Sequence, residues 1–190
     1  MAQQARQKTL LKLQRMEMAL VRAWLAHPNL MPERDFQRLR YILGFARLHR
    51  FAPGAALRER PRADISVDPA IIEPFRELVL RALYRPLHRE DSLRERLVQS
   101  AAVLGPLSAA LMDARPRLLA QHRADFSEAE LDAEAGRKAL VTIAGGGGGA
   151  GYVYIGAAAR LRAEGLSSDY LVGSSIGALI GAFLARSRQL

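Results

Sequence analysis

The feature that most constrains this chain is a run of glycines directly after a short apolar segment. Residues 139–144 read Ala-Leu-Val-Thr-Ile-Ala, and the next seven positions are all glycine except for Ala150. A continuous apolar run of this length is typical of a strand that is buried on both faces of a parallel sheet. Because glycine has no side chain, the run predicts a tight loop whose backbone N–H groups can approach a bound anion closely.

A second turn of small residues follows the next predicted strand. The strand reads Tyr-Leu-Val over residues 170–172, and the turn reads Gly-Ser-Ser-Ile-Gly over residues 173–177. Apolar residues at helical spacing come next, so Ser175 lies in a strand-turn-helix setting that holds a serine hydroxyl outward. The two motifs together predict an oxyanion hole and a serine nucleophile. Their order along the chain predicts a βαβα unit.

Other uses of a glycine loop compete with this interpretation. Gly146, Gly148 and Gly151 satisfy the dinucleotide-binding spacing, but the acid expected at the end of the second strand is missing, since Asp169 precedes that strand. A P-loop requires Lys and then Ser or Thr after its last glycine, whereas Tyr152 follows here. A purely structural turn, in which small residues let a helix pack closely on a sheet, remains open.

Over about residues 138–190 the sequence resembles the patatin-like phospholipase family. The resemblance rests on the joint pattern of a strand, the glycine loop, a helix and the segment Val-Gly-Ser-Ser-Ile-Gly-Ala at residues 172–178. It implies an α/β protein, with the start of a patatin-type parallel-sheet α/β/α domain. It also implies a serine ester hydrolase of phospholipids or other acyl lipids, which uses a Ser-Asp dyad and needs no metal or organic cofactor.

The resemblance assigns roles to individual residues. Ser175 becomes the nucleophile, and the oxyanion hole is formed at Gly146, Gly147 and Gly148. The remaining motif glycines are Gly145, Gly149, Gly151, Gly173 and Gly177.

The chain departs from the family pattern at two places. Ala150 stands where family members usually carry Arg or Lys, and no Asp follows Ser175 within the 190 residues. Asp113, Asp125 and Asp132 lie in the predicted helical region and are poor substitutes for the missing base. We therefore expect this chain alone to be inactive or nearly so, with the Asp supplied by further sequence or by a partner chain. The alternative is a non-catalytic lipid- or protein-binding helical module with an incomplete, inactive lipase portion.

Residues 1–137 are predicted to form an all-helical region that precedes the domain at residues 138–190. Asp68 and Pro69 make a good N-cap and first helical residue, and Ser127 with Glu130 makes a capping box. Residues 52–68 have the composition of a loop. The first helix carries large apolar residues at helical spacing, namely Leu10, Leu11, Leu13, Met16, Met18, Leu20, Val21, Trp24 and Leu25.

The positive charge of the chain is concentrated near its beginning. Residues 1–62 contain thirteen Lys or Arg against four Asp or Glu, whereas residues 63–190 contain fifteen of each. Residues 1–62 are therefore predicted either to contact anionic membrane peripherally or to form an ordinary solvated helix surface. We expect no nucleic-acid partner. The four histidines lack metal-ligand spacing, so no metal site is predicted. The chain has no cysteine and no recognisable signal peptide, and a cytoplasmic location is therefore predicted.

Overall fold

The computed structural model of this chain describes residues 2–51, 65–136, 141–164, 166, 168 and 170–186. The chain divides into two compact units, Met1–Arg137 and Lys138–Leu190. Of the described residues 77% are helical and 7% lie in strands. These strands form two sheets of two strands each. The prediction of a patatin-type parallel-sheet α/β/α fold is therefore wrong, because the protein is mostly helical and two strands do not make a sheet that helices could cover as a middle layer.

The first unit consists mainly of six helices. Each helix buries one apolar face, and the buried side chains form a single core that includes Leu13, Leu39, Phe45 and Leu83. A 3₁₀ turn at Pro28–Leu30 follows the first helix, and a π-helical turn at Arg85–Arg89 follows the third. The helices are α1 Ala2–Ala26, α2 Glu33–Arg47, α3 Pro69–Tyr84, α4 Leu93–Ala102, α5 Leu104–Gln121 and α6 Glu128–Ala135.

The predicted helix starts in this unit are confirmed. The Asp68 side chain accepts a hydrogen bond from the Ala70 N–H over 2.9 Å, and Pro69 is the first residue of α3. Ser127 and Glu130 form the reciprocal capping box at the start of α6. Both signals were readable from sequence because a cap satisfies backbone N–H groups within the first turn of its own helix.

The sequence predicts an all-helical first unit, and this prediction is wrong. Arg50–Phe51 forms strand β1 and pairs antiparallel with Ile65–Ser66, which forms strand β2. The ends of the predicted loop are thus held together by a short ladder, and its residues 52–64 lie outside the described residues. Phe51 is buried and stacks on Phe126 at 4.5 Å between ring centroids, so β1 is also packed against the core.

The second unit contains two parallel strands and two helices. The elements are β3 Val141–Ala144, a 3₁₀ turn at Gly148–Tyr152, α7 Val153–Ala163, β4 Tyr170–Gly173 and α8 Ile176–Arg186. Strands β3 and β4 pair from Val141 opposite Tyr170 to Ala144 opposite Gly173. The order is strand, glycine turn, helix, strand, serine turn and helix.

Only one face of the β3–β4 pair is covered within this unit. Ala144 is buried, whereas Val141, Ile143, Tyr170 and Val172 are exposed, with Ile143 reaching 75% exposure. The prediction that residues 139–144 form a strand buried on both faces is therefore wrong for its described part; residues 139 and 140 lie outside it. The apolar run predicted a strand correctly, but burial of its second face requires a second layer of structure.

No described helix is by itself both long and apolar enough to span a membrane. Helices α4 and α5 meet that criterion of length and composition only when taken together, and they are bent by 51° at their junction.

Candidate functional site

Ser175 occupies a strained position between β4 and α8. Its φ is 51°, and among the described residues it is the only non-glycine residue with positive φ. An L-residue in this left-handed region costs about 1–2 kcal/mol, and such strain is concentrated at functional sites. The residue is exposed. The backbone therefore forms a sharp turn that presents Ser175 to solvent directly before a helix.

Helix α8 starts from the two serines of this turn. The carbonyl oxygen of Ser174 accepts a hydrogen bond from the Gly177 N–H over 3.0 Å, and that of Ser175 accepts from the N–H groups of Ala178 and Leu179. Ser175 therefore stands at the N-terminal end of α8, where the aligned peptide dipoles of the helix create a partial positive charge. Such a charge stabilises an anion that develops at or near the serine oxygen.

The two glycines that flank this turn leave no room for a side chain. A β-carbon on Gly173 would lie 2.6 Å from the Ala178 nitrogen, and one on Gly177 would lie 2.2 Å from the Ala144 carbonyl oxygen. The motif glycines predicted at these positions are thus explained by steric contact. They let the end of β4, the end of β3 and the first turn of α8 approach one another closely.

The glycine loop passes directly beside Ser175. A β-carbon on Gly146 would lie 3.3 Å from the Ser175 β-carbon, and one on Gly151 would lie 2.5 Å from a side-chain carbon of Ile176. Gly148 has a φ of 55°, which favours glycine for conformational reasons. The structure therefore brings the predicted loop and the predicted nucleophile together.

The remaining glycines of the predicted loop do not all have a steric reason to be glycine. A β-carbon on Gly145 would lie 3.6 Å from the Tyr154 hydroxyl, which is ordinary contact, and one on Gly149 would meet nothing within 4 Å. Gly147 accepts a hydrogen bond from the Ala150 N–H through its carbonyl oxygen over 3.2 Å. Among the described residues, none accepts a backbone hydrogen bond from the N–H of Gly146 or Gly147. An oxyanion beside Ser175 could use these two N–H groups as donors.

The part of the chain that the structure describes shows no acid or base hydrogen-bonded to Ser175. Asp169, which precedes β4, lies outside the described residues. Three other aspartates considered from sequence have partners of their own in the first unit: Asp113 pairs with Arg117 at 3.2 Å, Asp125 with His122 at 2.8 Å, and Asp132 with Arg115 at 2.7 Å. All three side chains are thus engaged within the helical unit.

An apolar cavity of about 80 Å³ lies between α7, α8 and the covered face of the strands. Ala157, Ala158 and Gly181 line it, and their small side chains leave the space open. It extends to Ala144 and Tyr154, at the end of β3 where the glycine loop begins. Sequence reasoning missed this cavity. The recognisable signal was the group of small residues on the facing sides of two predicted helices.

A polar cluster in the first unit was also missed. The Tyr41 hydroxyl donates a hydrogen bond to Asp132, and Arg115 donates two hydrogen bonds to the same carboxylate. Burial, and next the hydrogen bond to Asp132, raise the pKa of Tyr41 to about 12. Burial alone raises the pKa of Asp132, but the hydrogen bonds from Arg115 and Tyr41 outweigh it and hold the pKa below its usual value. The cluster joins α2, α5 and α6.

Metal-binding side chains do not converge in the described ranges. Within them no group of three or more His, Asp or Glu residues has the arrangement needed to hold a metal ion.

The sequence matches no protein-family model, and comparisons with curated proteins and with solved structures give no significant match. A functional interpretation therefore depends on the residues and geometry of the second unit. The two predicted motifs in that unit meet at a strained, solvent-exposed serine.

Proposed function

We propose that this chain carries the nucleophile and the oxyanion-hole portion of a patatin-like serine acyl hydrolase. The observation that carries the proposal is the left-handed conformation of Ser175 at the start of α8, directly beside Gly146 of the glycine loop. Glycine could make the same turn without the cost of about 1–2 kcal/mol that serine incurs at positive φ. A chemical role for the hydroxyl therefore accounts best for serine at this position. The reaction is hydrolysis of an ester bond in a phospholipid or another acyl lipid.

Each part of the site has a role in acyl transfer. The Ser175 oxygen would attack the ester carbonyl carbon and form the acyl-enzyme, while the serine proton passes to a base and then to the departing alcohol. Water would hydrolyse the acyl-enzyme and restore the serine. The N–H groups of Gly146, Gly147 and Gly148 would stabilise the tetrahedral oxyanion, assisted by the N-terminus of α8.

The base is the part of the dyad that no described residue supplies beside Ser175. In the family pattern it is an Asp well downstream of the serine, and only fifteen residues follow Ser175 in this sequence. Under this proposal the base would come from further sequence or from a partner chain. Without the base we expect a loss of several powers of ten in rate, as when one member of a catalytic constellation is removed.

Apolar groups around the site support a lipid substrate. Tyr152, Val153 and Leu179 flank the glycine loop and the start of α8 in sequence, and each is more than half exposed. Large apolar side chains grouped on a surface mark sites for apolar partners or ligands. The cavity that reaches Ala144 is lined mostly by apolar side chains, which is consistent with the same substrate class.

Serine-directed labelling tests the proposal on the protein as its own cell produces it. We expect a fluorophosphonate probe to label Ser175 and Ser175→Ala to abolish both labelling and esterase activity toward acyl lipids. Ser174→Ala is the matched control, because Ser174 is the adjacent exposed serine. This variant should retain labelling at Ser175. Unchanged activity in Ser175→Ala would contradict the catalytic assignment. The intact mass of the same protein shows whether the chain continues beyond Leu190.

A further inference from the structure

Helix α1 exposes a straight row of large apolar side chains. Leu11, Met18 and Leu25 are 47%, 50% and 68% exposed. They are spaced seven residues apart, which places them on one side of the helix every two turns. The opposite side packs into the core, where the buried residues are Leu13, Met16, Leu20 and Ala23. The helix therefore has two apolar sides, and the core covers one of them.

Positive charges flank the exposed row, and no acidic residue of α1 lies beside it. Lys8, Arg15 and Arg22 lie on the same side of α1 as the row by helical spacing, and all three are exposed. Glu17, the one acidic residue of α1, is half-buried and paired with Arg40 at 3.0 Å and Arg47 at 2.8 Å. We call the six residues of this exposed side the interfacial face: Lys8, Leu11, Arg15, Met18, Arg22 and Leu25.

The positive surface extends from α1 to the π-helical turn. The Lys12 ammonium lies 5.5 Å from the centre of the Tyr84 ring, and the Arg89 guanidinium lies 5.8 Å from the same point. Each of these two cations thus lies beside the same aromatic ring, which adds positive charge next to α1.

We propose that the interfacial face binds α1 to anionic phospholipid membrane, with the helix axis parallel to the membrane surface. The apolar row would enter the boundary between headgroups and acyl chains, while the Lys and Arg side chains extend to the anionic headgroups. The charge of the interfacial face favours an anionic membrane as the partner, because the face carries three cations and no exposed acidic residue of α1. A nucleic-acid backbone would leave the central apolar row without a partner.

A second copy of the chain is a poorer occupant of the same face. Residues spaced seven apart suit helix pairing, but two copies would bring Lys and Arg side chains of both helices against each other. Like charges at the flanks of a helix pair are destabilising. The membrane assignment does not rest on the proposed chemistry of Ser175, so either proposal can fail without the other.

Vesicle co-sedimentation of the full chain tests the proposal. We expect binding to phosphatidylcholine vesicles that contain about 30% phosphatidylserine, weak binding to phosphatidylcholine alone, and loss of binding as ionic strength rises. Lys8→Gln/Arg15→Gln/Arg22→Gln should weaken binding about 100-fold, at roughly fivefold for each cation. Leu11→Gln/Met18→Gln/Leu25→Gln should weaken it at least about tenfold, because it removes the side chains that enter the membrane.

The matched control removes three exposed arginines from other helices and loops of the first unit. Arg34→Gln/Arg94→Gln/Arg123→Gln changes the net charge by the same amount, and all three residues are exposed. We expect its binding to stay within about twofold of the unmodified chain, because these cations lie outside the interfacial face. An equal loss in the control, or no binding to anionic vesicles at low ionic strength, would overturn the proposal.

A single fluorophore separates membrane insertion from self-association. The chain has no cysteine, so Met18→Cys gives one site for an environment-sensitive dye, and Met112→Cys on α5, where Met112 is 65% exposed, gives the control. Anionic vesicles should shift the emission at position 18 to shorter wavelength and leave position 112 unchanged. A shift at position 18 that depends on protein concentration and occurs without vesicles would assign the face to a second copy and overturn the proposal.

Discussion

The backbone N–H of Ser174 donates a hydrogen bond to the carbonyl oxygen of Ala144 over 3.1 Å. Ala144 is the last residue of β3 and Ser174 is the first residue after β4, so this bond extends the parallel ladder by one step. It fixes the position at which the chain must turn. Ser175 then adopts its left-handed conformation, and α8 begins at the next residue. The exposure of the candidate nucleophile thus follows from where the two strands end.

The strain at Ser175 predicts that glycine at this position gives a more stable chain than alanine does. We expect Ser175→Gly to raise the free energy of unfolding by about 1 kcal/mol relative to Ser175→Ala, because glycine adopts positive φ without the steric cost of a β-carbon. Urea denaturation of the chain measures the difference. In the protein as its own cell produces it, both substitutions should abolish serine labelling. If Ser175→Ala is the more stable of the two, the left-handed turn is not the conformation in solution.

Close packing at Gly177 predicts that a single methyl group disrupts the turn. We expect Gly177→Ala to lower the free energy of unfolding by about 2 kcal/mol or more, because its β-carbon would overlap the Ala144 carbonyl oxygen. Gly156→Ala is the control within α7. There a β-carbon meets nothing within 4 Å, so the better helix propensity of Ala should stabilise by about 1 kcal/mol. Equal effects at the two positions, measured by chemical denaturation, would contradict the close approach of α8 to β3.

Two serines of the first unit are predicted to respond in opposite ways. The Ser100 hydroxyl is fully buried and has no hydrogen-bond partner among the described residues, so Ser100→Ala should leave stability unchanged or raise it by about 1 kcal/mol. Ser92 caps α4 by accepting a hydrogen bond from the Glu95 N–H, and Ser92→Ala should cost about 1 kcal/mol. Thermal denaturation of both variants checks the contrast. A loss at Ser100 equal to that at Ser92 would mean that its hydroxyl is satisfied.

The Tyr41–Asp132 hydrogen bond predicts a pH dependence at the alkaline end. The pKa of Tyr41 is raised from 10.0 to about 12, first by burial and then by Asp132. A raised pKa means that the contribution of Tyr41 to stability is complete below the unfolded pKa of about 10 and is lost as pH rises toward 12. Tyrosinate absorbance of the chain minus that of Tyr41→Phe measures this titration.

Asp132→Asn is the informative variant for that cluster. It keeps an oxygen acceptor but removes the carboxylate charge that opposes tyrosinate formation, so the pKa of Tyr41 should fall while burial keeps it above 10. A Tyr41 pKa that is near 10 in the unmodified chain would contradict the buried hydrogen bond.

Features that depend on a few consecutive residues were predictable from the sequence. The Asp68 cap and the Ser127–Glu130 capping box each satisfy backbone groups within one helical turn, so their chemistry is local. The serine turn likewise requires only two flanking glycines between a strand and a helix. Their spacing, taken together with the strand-turn-helix context and the upstream glycine loop, identified Ser175 as the candidate nucleophile, whereas its catalytic role remains a prediction.

Features that join distant residues were not predictable. A β-carbon on Gly44 would lie 1.9 Å from the Ala135 carbonyl oxygen, so α2 and α6 make a close contact across about 90 positions of sequence. The Tyr41 and Asp132 pair and the β1–β2 ladder have the same character. The prediction of the fold class was wrong for a related reason. A motif of two strands was taken to represent a larger sheet, which the described residues do not contain.

Helix α1 shows where sequence information ends and tertiary structure begins. The spacing of its apolar residues was enough to predict a helix, since that depends on backbone propensity and periodicity within the segment. It was not enough to say which apolar residues are buried, because Leu13 and Leu20 have much the same chemistry as Leu11 and Leu25. Packing against the other helices buries the first pair and leaves the second pair exposed. The free energy of burial belongs to surfaces that meet only in the folded chain, and so the tertiary structure alone decided which side of α1 remains available to a partner.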